Sequence, residues 1–342
     1  MTVDAPAIPP NGPPDVDATV LICTFNRADD LERTLESLAR TRAGLSWDVI
    51  VVDNNSTDRT SEVVQACARD YPVPLHYLFE GRQGKSNALN TGMTRARASI
   101  IVFTDDDVEV AEGWLEAGVR PLLDRGDIDY TGGPVRPAWG APRPSWLDET
   151  GNLGGTIAVK DHGRAPFIFE EERKTPLGVN MAVRRALIEK IGGFRPDLGR
   201  NGRSLLGQEQ AEFFYRSRRV GARGLYAPDM WLTHAVPATR LTREYFRRWW
   251  FWKGISHARL HRIHGRTELG LDLSQVPRVA GIPRYLFRGA LSSAFGWVKS
   301  SIMARPHERA EHAMMLAYFF GYLREGLRPL RYRTSNVAIT GR

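Results

Sequence analysis

The chain has 342 residues, 42% hydrophobic and 25% charged, enough for one large α/β domain with an appendage or for two small domains. Its two cysteines, Cys23 and Cys67, exclude a disulfide framework and a cysteine-built zinc site, and both read as small buried residues of a protein in a reducing compartment. The net charge of +8 is uneven: residues 241–342 hold 18 Lys and Arg against 6 Asp and Glu, leaving 29 against 33 for residues 1–240.

Residues 1–18, rich in Pro, Asp and Ala, have neither the cationic start nor the apolar run of an export signal, and a disordered leader is expected there. From Thr19 apolar runs alternate with amphipathic segments. Val20-Leu21-Ile22-Cys23 reads as a buried strand. In the helix that follows, Leu31, Leu35 and Leu38 recur at helical spacing, with Asn26 placed to cap it and Asp29 in its first turn. Val49-Ile50-Val51-Val52 is a second strand, and Ser56-Thr57-Asp58 opens a second helix. Residues 75–79 are a third strand, 86–97 a third helix and 100–103 a fourth strand. Short connections between alternating strands and helices predict a doubly wound, mostly parallel, Rossmann-like α/β sheet, whose ligands bind beyond the carboxyl ends of the strands. Beyond Asp127, four prolines (134, 137, 142 and 144) punctuate a stretch holding Trp139 and Trp146, and a Gly-rich loop without periodicity is expected as far as Pro176. Order resumes over 178–183, with helices near 185–191 and 208–220 and short strands near 224–227 and 231–234. No segment reaches the roughly 20 apolar residues needed to span a bilayer.

Three acidic groups fall where a ligand should sit: Asp53 after the second strand, Asp105-Asp106-Asp107 after the fourth, and Glu209 with Glu212 at a helix start. Three adjacent carboxylates repel one another, and a hard divalent cation relieves the repulsion while holding a diphosphate. The competing reading is a solvated acidic turn at a helix start. Asp53 could instead merely cap the helix beginning at Ser56. Lys85, in Gly84-Lys85-Ser86-Asn87, suits a phosphate at a helix N-terminus or is an exposed lysine, and the spacing is not that of a Walker loop. His234, ending Trp231-Leu232-Thr233, is a structural histidine or a ligand.

The ordered series Cys23-Thr24-Phe25-Asn26-Arg27, Val51-Val52-Asp53-Asn54-Asn55-Ser56-Thr57-Asp58, Gly84-Lys85-Ser86-Asn87-Ala88-Leu89-Asn90 and Phe103-Thr104-Asp105-Asp106-Asp107 resembles family 2 glycosyltransferases of the GT-A fold. Gly178-Val179-Asn180-Met181-Ala182, Gly192-Gly193-Phe194, residues 206–213, Tyr226-Ala227-Pro228 and His234 continue the likeness, which spans about residues 19–260. The resemblance implies a metal-dependent, inverting transferase that uses Mn2+ or Mg2+ and a nucleotide-sugar donor carrying UDP. It assigns Thr24, Asn26, Arg27 and Asp53 to the nucleotide and Lys85 to the ribose or phosphates. Asp105 and Asp107 match the D-x-D element that holds ribose and metal, Asp106 is an alternative ligand, and His234 is a further metal ligand. Asn180 and residues 192–201 would face the sugar and acceptor. Where the family commonly has Glu-Asp, this chain has Glu209-Gln210; an amide cannot accept a proton, so Glu209 becomes the expected base, with Glu212 second.

The implied organisation is a leader (1–18), a catalytic domain (19–240, split at 127/128 into nucleotide-sugar and acceptor halves) and a basic, aromatic, helical region (241–342). Residues 134–176 would supply a lid. In the last region Tyr245, Phe246, Trp249, Trp250 and Trp252 interleave with Arg243, Arg247, Arg248 and Lys253, and farther on Tyr285, Phe287 and Trp297 alternate with Arg284, Arg288 and Lys299. That composition fits an anionic membrane surface, packing onto the catalytic domain, or base stacking, the last without any accompanying nucleic-acid motif. The expected setting is cytoplasmic, peripheral at the inner face of the cell membrane, acting on a saccharide or lipid-linked acceptor in polysaccharide or glycoconjugate synthesis. Two rival readings are a sugar-1-phosphate nucleotidylyltransferase and a nucleotide-sugar-binding protein without turnover.

Overall fold

Apolar runs with no polar face require cover on both sides, and the strands obtain it. A computed structural model describes residues 16–147, 153–170, 174–202, 204–267 and 271–328. The first part of the chain runs β1 (Ala18–Thr24), α1 (Ala28–Ala39), β2 (Trp47–Asp53), α2 (Thr60–Cys67), β3 (Leu75–Phe79), α3 (Lys85–Arg95), β4 (Ile100–Thr104), β5 (Val108–Val110) and α4 (Trp114–Asp124). Then follow β6 (Tyr130–Gly132), β7 (Val135–Trp139), β8 (Phe167–Ile168), β9 (Asn180–Arg184), α5 (Arg185–Ile191), α6 (Glu209–Arg219), β10 (Gly224–Tyr226) and β11 (Leu232–Val236). The chain closes with α7 (Arg243–His264), the hairpin β12 (Arg278–Val279) and β13 (Ile282–Pro283), α8 (Arg284–Ile302) and α9 (Pro306–Gly326).

The main sheet has the order β3-β2-β1-β4-β9-β6-β10-β8. Its first four strands are parallel, β9 runs antiparallel to both β4 and β6, and β8 antiparallel to β10. Alternation along each strand divides the core. Val20, Ile22, Val49, Val51, Ile100 and Val102 meet Leu31 and Leu35 of α1 and Trp114 and Val119 of α4. Leu21, Ile50, Val52, Ile101 and Phe103 meet α3, α5 and α6 on the other face. A small sheet, β5-β11-β7, carries the end of β11 toward the residues after β4.

Several sequence expectations change here. Residues 1–15 of the expected leader lie outside the described residues, and its last residues belong to the sheet: Asp17 N donates to Ser46 O and β1 begins at Ala18. Asn26 does not cap α1. Its backbone is left-handed (φ 52°), its Oδ1 accepts from Thr57 N at 2.7 Å, and Ala28 N is taken instead by Asp58 Oδ2 at 3.0 Å. The long loop is interrupted by β6, which pairs with β9 and β10, by β7, which pairs with β11, by β8, which pairs with β10, and by a 3-10 turn (Gly154–Ile157). Cys23 and Cys67 are half-buried rather than buried.

A third core cluster joins Trp146, Leu147, Ile157 and Val236 to Phe246 and Trp250 of α7 and to Met314, Tyr318 and Tyr322 of α9. Trp250 Nε1 donates to Thr156 Oγ1 at 3.0 Å, and Arg259 Nη1 to Asp197 O at 2.9 Å. Phe246 and Trp250 are therefore interior residues, while Tyr245, Trp249 and Trp252 are half-buried. Among the described residues no helix is long and apolar enough to cross a membrane.

Candidate active site

Parallel pairing of β1 with β4 sets Thr24 beside the run Asp105, Asp106, Asp107 at their carboxyl ends. Antiparallel pairing of β11 with β5 puts His234 opposite Val108. The imidazole Nε2 then lies 3.3 Å from Asp107 Oδ1. Ligand atoms of Asp105, Asp107 and His234 all fall within 4.8 Å of one another. Cations surround the acids. Arg27 Nη1 donates to Asp106 Oδ1 at 3.0 Å and to Asp107 Oδ2 at 2.7 Å, Lys85 Nζ donates to Asp105 Oδ1, and Arg240 Nη2 stands 3.5 Å from Asp107 Oδ2.

The acids diverge electrostatically. Burial pushes the Asp106 carboxyl up, the neighbouring Asp107 adds to this, and Arg27 opposes it. Asp107 is also penalised by burial, but His234, Arg27 and Arg240 outweigh that and hold it well below the usual carboxylate range. Burial works against the charge on Lys85 and Arg27, yet Asp105 for the one and Asp106 with Asp107 for the other keep both firmly protonated. Two carboxylates and an imidazole form a donor set suited to Mg2+ or Mn2+. The set also has unused capacity. Asp107 Oδ1 and His234 Nδ1 are buried with no hydrogen-bond partner assigned, and His234 Nε2 approaches Asp107 Oδ1 to 3.3 Å. The residues fit a divalent metal.

These groups line a cleft of about 1090 Å³. Glu209, at the start of α6, lines it too. Its Oε2 is buried without a hydrogen-bond partner, and burial raises its pKa against the opposing pull of Lys85. The cleft thus combines a cation-binding acid cluster with a carboxylate whose proton affinity is raised, an arrangement suited to proton abstraction beside a bound diphosphate.

Residues 19–192 match the model of the family described as glycosyl transferase family 2. The chain belongs to glycosyl transferase family 2. It is 28% identical over 180 residues to glycosyltransferase AglE of Haloferax volcanii, a match covering 52% of this chain and 55% of that protein. It is 27% identical over 243 residues to the glucosyl-dolichyl phosphate glucuronosyltransferase of the same organism, covering 70% of this chain and 75% of that one. The fold is shared with the mannosyltransferase PcManGT of Pyrobaculum calidifontis, solved in complex with GDP-Man and Mn2+, at a TM-score of 0.60 and 19% identity over 92% of this chain and 88% of that one. The GT-A architecture expected from the motifs is therefore the observed one, and these relatives do not favour the nucleotidylyltransferase reading.

Not every expected site residue of the transferase reaches the cleft wall. Thr24, Arg27, Lys85, Asp105, Asp106, Asp107, Glu209 and His234 do. Asp53 is buried, with Oδ1 accepting from Ser56 N and Oδ2 from Tyr77 Oη, both at 2.8 Å. Asn180 is fully buried and its amide is committed: Nδ2 donates to Pro134 O and Met230 O, and Oδ1 accepts from Trp114 Nε1. It ties β9 to the approaches of β7 and β11. Glu212 is also withdrawn. Burial alone would raise its pKa, but His264 and Arg216 donate to it and the balance lies below the ordinary value. Gln210, read from sequence only as a missing acid, clamps backbone: Oε1 accepts from Gly178 N at 2.7 Å and Nε2 donates to Pro176 O. Arg240 went unrecognised, because nothing in its local sequence signals that it reaches Asp107. Lys160 and Arg200, cations of the cleft wall, likewise carry no motif.

Proposed function

We propose that this transferase moves one sugar from a nucleotide sugar, read as a UDP-sugar, to a hydroxyl of a saccharide or lipid-linked acceptor, with inversion at the anomeric carbon. The observation that carries this reading is the joint presence, in one cleft, of the Asp105–Asp107–His234 cluster and the buried carboxylate of Glu209. Glu209 would take the proton of the acceptor hydroxyl as its oxygen bonds to the anomeric carbon. The bond from that carbon to the diphosphate breaks, and the nucleoside diphosphate leaves with the electron pair. Lys85, Arg27 and Arg240 would hold charge that develops on the leaving group. Asp105, Asp107 and His234 would hold Mn2+ or Mg2+, which supplies Lewis-acid neutralisation of the diphosphate when bound. Thr24 would meet the nucleotide, while Asn26 and Asp53 position the loop that receives the base. A peripheral location on an anionic membrane, through the basic C-terminal helices, belongs to the same reading.

A thermal-shift panel of nucleotide sugars with and without Mn2+ tests it, since a ligand that binds only the folded state raises the melting temperature by mass action. A UDP-sugar should stabilise the protein only with metal present, and Asp107→Ala should abolish that stabilisation. Undiminished donor binding in excess chelator would remove the metal from the proposal.

A further inference from the structure

Helix α8 touches the rest of the molecule along a narrow stripe. Leu286, Ser293 and Ser300 are buried at seven-residue spacing, and a side chain at Gly296 would collide with His312 of α9. The opposite face is apolar and open. Leu291, Phe295 and Ile302 are 73%, 73% and 80% exposed, and with Val298 they recur at spacings of four, three and four, one line along a helix. The same helix carries Arg284, Arg288 and Lys299, all exposed, and no acid. An apolar line of this length on a soluble surface marks a contact with something.

We infer that the outer face of α8 lies on an anionic lipid bilayer. A second copy of the chain is disfavoured by charge: two-fold pairing of α8 with itself would set cations against cations with no acid on the helix to offset them. Anionic headgroups complement the arginines and lysine, and the acyl boundary accepts the Leu, Phe, Val and Ile row, as in helices that lie in the interfacial plane. The position of α8 gives the contact a purpose. Its Tyr285, Gly289 and Ala290, with Met315 and Phe319 of α9, form an apolar arm of the same cleft that holds Asp105, Asp106 and Asp107. A bilayer against α8 therefore lies beside an apolar approach to the reacting centre, suited to an acceptor with a hydrocarbon tail. This use of the contact rests on the sugar-transfer reading, while the contact itself does not.

Co-sedimentation of the full chain with phosphatidylcholine vesicles, with and without phosphatidylglycerol, tests the inference. Binding should require phosphatidylglycerol and weaken with salt. The triple variant Leu291→Asn, Phe295→Asn, Ile302→Asn should bind roughly tenfold more weakly or worse, because the apolar contribution is lost. Arg284→Gln, Arg288→Gln and Lys299→Gln together should remove the salt-sensitive part. Since these side chains are exposed, circular dichroism and Mn2+-dependent binding of a UDP-sugar should remain as in the parent. Vesicle binding without any nucleotide-sugar binding would sink the sugar-transfer reading and leave the bilayer contact standing. Equal vesicle binding by the parent and the apolar triple variant would overturn the contact. So would a parent that ignores vesicles and forms a dimer that the triple variant dissolves, which would make this face an interface between copies.

Discussion

Asp107 draws two cationic side chains, Arg27 and Arg240, and the imidazole of His234, while Glu209 keeps a buried oxygen without a partner. Two carboxylates of one cleft are thereby suited to opposite tasks, one held ionised for a cation and one with raised proton affinity. A base must be ionised to act, so turnover should fall as pH drops through the raised Glu209 pKa, with an acidic limb above the ordinary glutamate range. Glu209→Gln should lower kcat roughly 100-fold, leave nucleotide-sugar affinity unchanged and erase that limb in a pH–rate profile. An acidic limb that persists in the variant would assign it elsewhere. Gln210→Asp tests the adjacent position. The shorter carboxylate cannot donate to Pro176 O, so kcat should not rise, and the lost clamp should cost about 1–3 kcal/mol in denaturant unfolding. A strongly raised kcat would instead identify the natural chain as a weakened enzyme.

Helices α7 and α9 approach so closely that glycine is required on both. A β-carbon at Gly321 would stand 1.8 Å from Phe251 O, and one at Gly254 2.0 Å from Tyr318 O. This contact lets Tyr318 Oη and Tyr322 Oη reach His257 Nδ1 and His261 Nδ1, each at 2.9 Å. Gly321→Val should therefore destabilise the protein by about 3 kcal/mol, the upper part of the usual range for overpacking. Urea titration of the variant measures this, and a loss below the error of the fit would show that the helices separate without cost.

At the scale of the molecule, the C-terminal region completes the core. Leu241, Phe246, Trp250, Met314, Tyr318 and Tyr322 cover Trp146, Leu147, Leu153 and Ile157. A fragment ending at residue 240 leaves these four side chains against water, each large apolar group having gained about 1.5–3 kcal/mol from burial. Such a fragment should aggregate or bind a hydrophobic dye strongly and lose the parent's cooperative melting. A soluble, cooperatively melting fragment would show that the region is separable.

The amino-acid sequence determined the strands and helices of the sheet, because solid apolar runs and the Leu31, Leu35, Leu38 repeat admit few arrangements. It also determined the places of Asp105, Asp106, Asp107 and Lys85, since strand ends and helix starts are local features. Tertiary structure alone decided what depends on partners far along the chain. Arg240 meets Asp107 only because β11 crosses beside β5, and Asn180 is withdrawn because Trp114, Pro134 and Met230 converge on its amide. It likewise decided which of the C-terminal apolar side chains are interior. Composition cannot say which face of a helix meets the core, and packing against α9 turned Phe246 and Trp250 inward while leaving Leu291, Phe295 and Ile302 of α8 outside.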